Sequence, residues 1–133
     1  MIESIINSNK IPVYGDGKNI RDWLYVEDHV EAIIKIFHKS KLGETYCIGG
    51  NNEISNINLI YKIIEICDKL LGRKKNSSIN LISFIEDRLG HDYRYAIDIT
   101  KINNELNWNP KTKFIEGLTK TIKWYINESR NNI

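Results

Sequence analysis

The apolar residues between positions 56 and 71 recur every three or four residues, which is the spacing of one face of a helix. The residues on that face are Ile57, Ile60, Ile63, Ile64, Cys67, Leu70 and Leu71. Ser55 or Asn56 is expected to cap the start of this helix, and Gly72 ends the pattern because glycine tolerates the backbone that closes a helix. The sequence therefore predicts a buried helix here, and its pattern is the strongest in the chain.

Weaker helical spacing marks four other segments. Residues 1–6 predict a short helix. A second helix is expected to begin with Asp28 as its cap and to have one apolar face, made of Val30, Ile33, Ile34 and Phe37. Thr100 is expected to cap a short helix that reaches position 107. A last helix is predicted over 114–128, with its inward side formed by Leu118, Ile122, Tyr125 and Ile126.

Short apolar segments rich in branched and aromatic residues lie between these helices and predict strands. They are residues 10–14, 20–26, 45–48 and 80–85. A turn is expected at 15–17, where two glycines flank an aspartate. Strands and helices alternate along the chain, so the predicted fold class is α/β.

The composition is that of an ordinary globular domain: 133 residues, 41% hydrophobic and 27% charged. This length fits one domain, so residues 1–133 are predicted to form a single domain. The net charge of +2 is too small to indicate a nucleic acid or a membrane as a partner. The sequence shows no signal peptide, no long apolar run and no Cys-x-x-Cys pair, which favours a cytoplasmic protein.

Several patterns imitate catalytic motifs without the context that such motifs require. Tyr14 and Lys18 have the Tyr-x-x-x-Lys spacing of dehydrogenases, but the two glycines between them favour a turn over the helix that this chemistry needs. Gly49-Gly50 lacks the strand, G-x-G-x-x-G and helix order of a dinucleotide site. His29 and His38 are expected at the surface, and no histidine or cysteine spacing indicates a metal site. We therefore predict no catalytic, cofactor-binding or metal-binding residues.

Two irregular segments, residues 14–29 and 86–98, combine arginine, aromatic residues and glycine, as binding loops often do. Arg21 and Arg88 suit a diphosphate, because a guanidinium group donates paired hydrogen bonds and remains charged. Tyr14 offers a flat face on which a nucleobase could stack.

Asn56, at a helix start, could direct its amide at a base edge or a ribose. The alternative is that the two arginines only pair with neighbouring carboxylates, namely Asp22, Asp87 and Asp92.

Three motifs occur in a recognisable order. Gly-Asp-Gly-Lys-Asn-Ile-Arg-Asp-Trp-Leu-Tyr-Val-Glu-Asp-His begins at position 15, Gly-Glu-Thr-Tyr-Cys-Ile-Gly-Gly-Asn-Asn-Glu at 43, and Asp-Arg-Leu-Gly-His-Asp-Tyr-Arg-Tyr-Ala-Ile-Asp at 87. Over residues 10–128 the chain resembles the C-terminal part of the dTDP-glucose 4,6-dehydratases, extended short-chain dehydrogenase/reductases of deoxysugar and rhamnose synthesis. The resemblance implies the small substrate-binding α/β domain of such an enzyme, without its Rossmann domain.

The resemblance also implies a binding site for the dTDP portion of dTDP-glucose. The family residues that contact the nucleotide are matched here by Pro12, Val13, Tyr14, Arg21, Asn56, Asp87, Arg88, Leu89, Gly90 and His91. Leu89 is a departure, because the family generally has proline there, and its loss gives the loop backbone more freedom.

The family's NAD-binding glycines, its Tyr-x-x-x-Lys dyad and its acid/base pair belong to an N-terminal Rossmann domain that these residues do not match. The resemblance therefore implies that the parent protein is a NAD-dependent lyase and that this chain alone binds no NAD and is inactive. Its expected partners are a dTDP-sugar and the Rossmann domain. Two alternatives remain: the substrate domain of another nucleotide-sugar epimerase or decarboxylase, and a non-catalytic interaction remnant.

The family's C-terminal elements pack against the cofactor domain, so we expect apolar side chains that lack cover in this chain. Candidates for exposure are Trp23, Leu24 and residues 1–6.

Overall fold

A computed structural model of the chain describes residues 1–131 and has the predicted α/β class. Its helices are α1 (Ile2–Ile6), α2 (Val26–Lys39), α3 (Asn56–Leu70), α4 (Thr100–Leu106) and α5 (Phe114–Asn131), with a 3₁₀ turn at Ser77–Leu81. Its strands are β1 (Ile11–Tyr14), β2 (Ile20–Asp22), β3 (Glu53–Ser55), β4 (Ile82–Ile85) and β5 (Arg94–Tyr95). No helix in this part of the chain has both the length and the apolar character needed to cross a membrane.

The described residues divide into two compact units. The first unit contains residues 1–19, 55–93 and 118–131, and the second contains residues 20–54 and 94–117. Each unit has its own short parallel strands and its own buried apolar residues.

In the first unit, β1 pairs in parallel with β4, from Ile11 opposite Ile82 to Tyr14 opposite Ile85. Helix α3 lies over residues 56–70, as its periodicity predicts, and begins after Ser55 as its N-cap. The buried apolar side chains of this unit are Ile5, Ile11, Val13, Leu59, Ile60, Ile63, Ile64, Cys67, Ile122 and Ile126. Burial raises the pKa of the Cys67 thiol to about 11, so this cysteine is a packing residue rather than a nucleophile.

A buried polar network closes one end of the first unit. Asp68 is fully buried near the end of α3 and accepts hydrogen bonds from the backbone N–H of Ser78 at 3.1 Å and from its hydroxyl at 2.5 Å. Arg73 donates to the carbonyl oxygens of Ile5 at 2.8 Å and Ile6 at 3.1 Å, at the end of α1. The expectation that residues 1–6 are exposed is therefore wrong for Ile5, which is fully buried.

The second unit is organised around Ala32 of α2 and Trp108. Buried with them are Ile99, Ile102 and Leu106, and the half-buried side chains around this cluster are Leu24, Ile36, Tyr46, Ile48 and Ile97. Its strand order is β3-β2-β5, and β2 runs parallel to β5.

Asp28 is not the cap of α2, because Tyr25 occupies that position and the helix begins at Val26. The Asp28 carboxylate is buried in the first turn, where it accepts hydrogen bonds from the backbone N–H of Thr112 at 2.9 Å and from the Thr112 hydroxyl at 3.2 Å. Asp28 therefore ties α2 to a segment that is distant in sequence. Thr100 likewise begins α4 rather than capping it, since Ile99 is the N-cap.

Three predicted strands differ from the observed ones. The strand expected over 20–26 ends at Asp22, whose carboxylate accepts the N–H groups of Gly50 and Asn52, each at 2.7 Å. The strand expected over 80–85 begins at Ile82, because the 3₁₀ turn occupies the preceding residues. Residues 45–48 form no strand, although Tyr46 and Ile48 face the core while Thr45 and Cys47 are exposed.

The apolar face predicted on α2 exists but points away from the core of the second unit. Its four residues, Val30, Ile33, Ile34 and Phe37, are between 48% and 83% exposed, and Val26, which was expected in a strand, is also exposed at the start of this helix. Ala32 on another side of the helix is the residue that packs inward, and Trp23 and Leu24 are half-buried. The uncovered apolar surface of this unit therefore lies on α2 rather than on the two residues expected from the sequence.

Candidate functional site

Tyr14 ends β1 at the point where the chain turns through Gly15, and its side chain is 42% exposed. The alternation of this strand places Pro12 on the same exposed face, whereas Val13 is buried. Val13 can therefore contribute to a binding surface only through its backbone. Gly15 has a left-handed backbone, with φ of +55°, and donates its N–H to the carbonyl oxygen of Ile85 at 2.9 Å.

The loop of residues 86–92 is held together by Asp87. Its Oδ1 atom lies 2.6 Å from Nδ1 of His91 and accepts the backbone N–H of Arg88 at 2.9 Å. The hydrogen bond from His91 is the main reason that the pKa of Asp87 lies below its usual value. The Asp87 carboxylate also packs against Gly15, where an added Cβ would approach its Oδ2 to 2.9 Å. A side chain at position 15 would therefore displace the carboxylate that organises the loop.

Arg88, His91 and Tyr14 are brought together by this loop. The Arg88 guanidinium lies over the Tyr14 ring, 5.0 Å from its centroid, and the His91 ring meets the same ring edge-on at 6.3 Å. The His91 side chain is only 6% exposed. In the described part of the chain the Arg88 guanidinium has no carboxylate within ion-pair distance, so its charge is available to an external anion.

Leu89 and Gly90 form the tip of the loop. Leu89 is fully exposed, and Gly90 has a φ of +71°, which a residue with a side chain rarely adopts. The N–H of His91 donates to the carbonyl oxygen of Arg88 at 3.2 Å and closes the turn. The tip is thus a tight turn even without the proline that the resemblance leads us to expect at position 89.

Asn56 is half-buried at the first position of α3. Its backbone N–H donates to the carbonyl oxygen of Asn19 at 2.9 Å, and the N–H of Ile57 donates to that of Gly17 at 2.9 Å. The start of α3 is therefore attached to the turn that follows Tyr14. Tyr14, Asn56 and the loop 86–92 all belong to the first unit.

Arg21 belongs to the second unit, where it is half-buried in β2 opposite Tyr95. Its Nη1 donates to the carbonyl oxygen of Ile20 at 2.7 Å. The neighbouring Asp22 uses both carboxylate oxygens to hold the turn at Gly50 and Asn52. This turn and the loop 86–92 are the two places where a carboxylate fixes an irregular backbone beside one of the predicted arginines.

Two sequence patterns of this chain resemble parts of a dinucleotide-binding site, but their geometry does not suit NAD. Tyr14 and Lys18 lie on either side of a turn rather than on one helix, and the Lys18 ammonium pairs with Asp16 at 2.7 Å. A Cβ at Gly50 would lie 2.2 Å from the carbonyl oxygen of Trp23, so this glycine accommodates the protein's own backbone. Neither feature forms a cradle for a pyrophosphate.

Comparisons with a family model and with individual proteins both match this chain to 4,6-dehydratases. Residues 1–121 match the model of the family described as GDP-mannose 4,6 dehydratase. A dTDP-glucose 4,6-dehydratase of Escherichia coli is 48% identical over 130 residues, which are 96% of this chain and 36% of that protein.

Solved structures agree with this sequence match. The dTDP-glucose 4,6-dehydratase of Bacillus anthracis, in complex with NAD, has a TM-score of 0.81 at 42% identity and matches 97% of this chain and 38% of its own. The enzyme of the same name from Streptomyces venezuelae, also with NAD bound, has a TM-score of 0.81 at 33% identity, over 95% of this chain and 37% of its own. The chain thus spans between a third and two-fifths of the length of these relatives.

Proposed function

Because the chain belongs to the GDP-mannose 4,6 dehydratase family, we propose that it forms the nucleotide-binding wall of a dTDP-glucose 4,6-dehydratase. Its substrate is the dTDP portion of dTDP-glucose, and the NAD site and the reacting groups come from a Rossmann domain outside these residues. The names of the relatives and the NAD bound in their solved structures support this proposal. On its own the chain catalyses no step.

The observation that carries the proposal is the position of Arg88 over the ring of Tyr14. A guanidinium group that stacks on an aromatic face keeps its N–H donors directed outward in its own plane. Such a group can donate two parallel hydrogen bonds to phosphate oxygens. The exposed part of Tyr14 offers an adjacent apolar face for the base.

Asp87 and His91 make this arrangement compatible with an anionic ligand. Asp87 is a carboxylate near the proposed diphosphate position, which by itself would repel the ligand. Its Oδ1 atom contacts both His91 and the Arg88 backbone N–H, and its Oδ2 atom lies against Gly15, so the carboxylate is engaged within the loop. We assign Asp87, Leu89, Gly90 and His91 to shaping the loop, and Arg88 to gripping the diphosphate.

The proposal is tested by titrating the 133-residue chain with dTDP, UDP, GDP and inorganic diphosphate, monitored by NMR. We expect dTDP to bind weakly, because this chain is about a third of the enzyme, and to shift the resonances of Tyr14, Arg88 and Asn56. UDP tests the epimerase or decarboxylase alternative, and GDP tests the substrate in the family's description.

Preferential binding of UDP or GDP would contradict the assignment to dTDP-glucose. Equal binding of inorganic diphosphate would mean that the base is not recognised. If none of the four ligands binds at millimolar concentration, the chain is a non-catalytic remnant or needs the rest of the enzyme, and the same titration of the complete protein separates these two cases.

We also propose that the rest of the enzyme covers the apolar face of α2 and extends its sheet onto residues 45–48. These features belong to the second unit, and the segment 45–48 already alternates like a half-buried strand. Contiguous apolar residues of this kind mark interaction surfaces. A strand paired with this segment would provide the backbone hydrogen bonds that the segment lacks in the described structure.

Without that cover, we expect the isolated chain to self-associate through α2. Sedimentation velocity over a range of concentrations should show oligomers that the Phe37→Glu variant largely abolishes, because Phe37 is the most exposed residue of this face. Tyr61→Glu is the matched control, since Tyr61 is an exposed aromatic residue on α3. A wild-type chain that stays monomeric at high concentration, or one that Tyr61→Glu disrupts equally, would contradict this expectation.

A further inference from the structure

Asn19 is one of the few polar residues buried in the first unit, with 6% of its surface exposed. Its side-chain Nδ2 donates to the carbonyl oxygen of Asp92 at 3.2 Å, at the far end of the loop 86–92. Its backbone carbonyl oxygen accepts the N–H of Asn56 at 2.9 Å, at the start of α3. One residue therefore bonds to both parts of the proposed nucleotide site.

The two ends of the loop are attached to the turn in different ways. The first end is fixed through the strand pairing of β1 and β4 and the hydrogen bond from Gly15 to Ile85. The second end carries a hydrogen bond from the side chain of Asn19 to the carbonyl oxygen of Asp92, and the chain enters strand β5 two residues later. Arg88 and His91 lie between these attachments. Loss of the Asn19 hydrogen bond should therefore loosen the segment that carries Arg88 without detaching it.

We propose that Asn19 is a positioning residue, which holds the loop 86–92 at a fixed place relative to Asn56. Arg88 and Asn56 can then contact the same nucleotide. The predicted effect of Asn19 on nucleotide binding rests on the proposed function. The hydrogen bond from Asn19 to Asp92 exists in the chain without ligand and can be tested by itself. Asn19 does not contact the ligand.

The chemistry of the amide explains why asparagine suits this position. Its NH₂ group reaches the carbonyl of Asp92, whereas alanine has no donor and aspartate would place a charged acceptor against an acceptor. In both variants the backbone carbonyl at position 19 remains available to the N–H of Asn56. Each substitution therefore cuts the attachment to the loop and leaves the attachment to α3.

The first test needs no nucleotide. Backbone ¹⁵N relaxation should show increased mobility of residues 88–92 in Asn19→Ala and Asn19→Asp, with the amides of Asn56 and Ile57 unchanged. The matched control is Asn103→Ala, which removes a half-buried asparagine whose Nδ2 also donates to a backbone carbonyl, that of Trp108. Wild-type mobility of residues 88–92 in both position-19 variants would overturn the proposal. Unchanged α3 amides also verify that the variants fold.

The second test measures dTDP affinity in wild type, Asn19→Ala, Arg88→Ala and the double variant. We expect Asn19→Ala to weaken binding about fivefold, the effect of one neutral hydrogen bond. Arg88→Ala should then cost less affinity in the Asn19→Ala background, because residues that act as a unit are not additive. Strictly additive losses would overturn the positioning role. Absence of dTDP binding in wild type would concern the proposed function alone and would lead to the titration of the complete protein, since the relaxation measurement decides the role of Asn19 without ligand.

Discussion

Replacement of Arg88 by alanine should lower the affinity of the chain for dTDP at least tenfold. Charge-assisted hydrogen bonds are worth roughly 1.5–3 kcal/mol each, and Arg88 has its donors free of carboxylates in the described structure. Because the side chain is exposed, the variant should keep the fold and stability of the wild type. Isothermal titration calorimetry, with circular dichroism to verify folding, measures both quantities.

Two further variants separate the geometry of this arginine from its charge. Arg88→Lys keeps the charge but loses the planar fork, so it should recover only part of the affinity. Lys75→Ala, which removes an exposed cation of the same unit that pairs with Glu65, should leave dTDP binding unchanged. If Arg88→Ala binds as tightly as wild type, the transfer of this residue from the resemblance is wrong. Arg21→Ala separately tests the other arginine that the resemblance matches to a nucleotide contact.

The largest loss of stability should come from Asp68→Ala. The change removes a fully buried carboxylate and leaves the N–H and hydroxyl of Ser78 without their acceptor. A buried polar group that loses its partner costs about 1–3 kcal/mol, so we expect the free energy of unfolding to fall by about 3 kcal/mol. For a domain of this size, the melting temperature should drop by about 10 °C.

Urea denaturation of Asp68→Ala and Glu65→Ala measures this difference within one helix. Glu65 is exposed on α3, and its pairing with Lys75 at 3.2 Å is a surface ion pair worth at most about 1 kcal/mol. A similar stability of the two variants would show that the buried network does not hold the first unit together.

The parts of the fold that the sequence predicted well are those determined by neighbours along the chain. Helix α3 follows from its own periodicity, and the turn after β1 follows from Gly15 and Gly17, both with positive φ. The pairing of Asp87 with His91 is also local, since it joins residues four apart in sequence, but it was not predicted. The residues that determine a helix period or a tight turn are close in sequence, so such features can be predicted without knowledge of the fold.

The parts that the sequence did not predict depend on distant partners. Asp28 is a residue type that often caps helices, but both of its carboxylate oxygens accept hydrogen bonds from Thr112, which lies 84 residues later. Asn19 was not identified as a site residue because its partner Asp92 lies 73 residues away. Residues 45–48 have a strand pattern without a strand, since no pairing segment lies beside them in the described structure. Hydrophobic patterns predict which side chains are buried. Strand pairing and buried hydrogen bonds can be predicted only when the partner segment is known.

The segment 45–48 has a consequence for the behaviour of the chain in isolation. In the described structure the backbone N–H groups of these residues donate to no other backbone group, and Cys47 between the inward-facing Tyr46 and Ile48 is exposed. An extended segment with unsatisfied main-chain donors is a template for pairing with an identical segment of another molecule, the first step of amyloid-like stacking. Such stacking would bring Cys47 residues of successive molecules close together, where an added oxidant would join them in disulfide bonds that a thiol reductant reverses. This short stretch is therefore a second route to association of the isolated chain, besides the apolar face of α2.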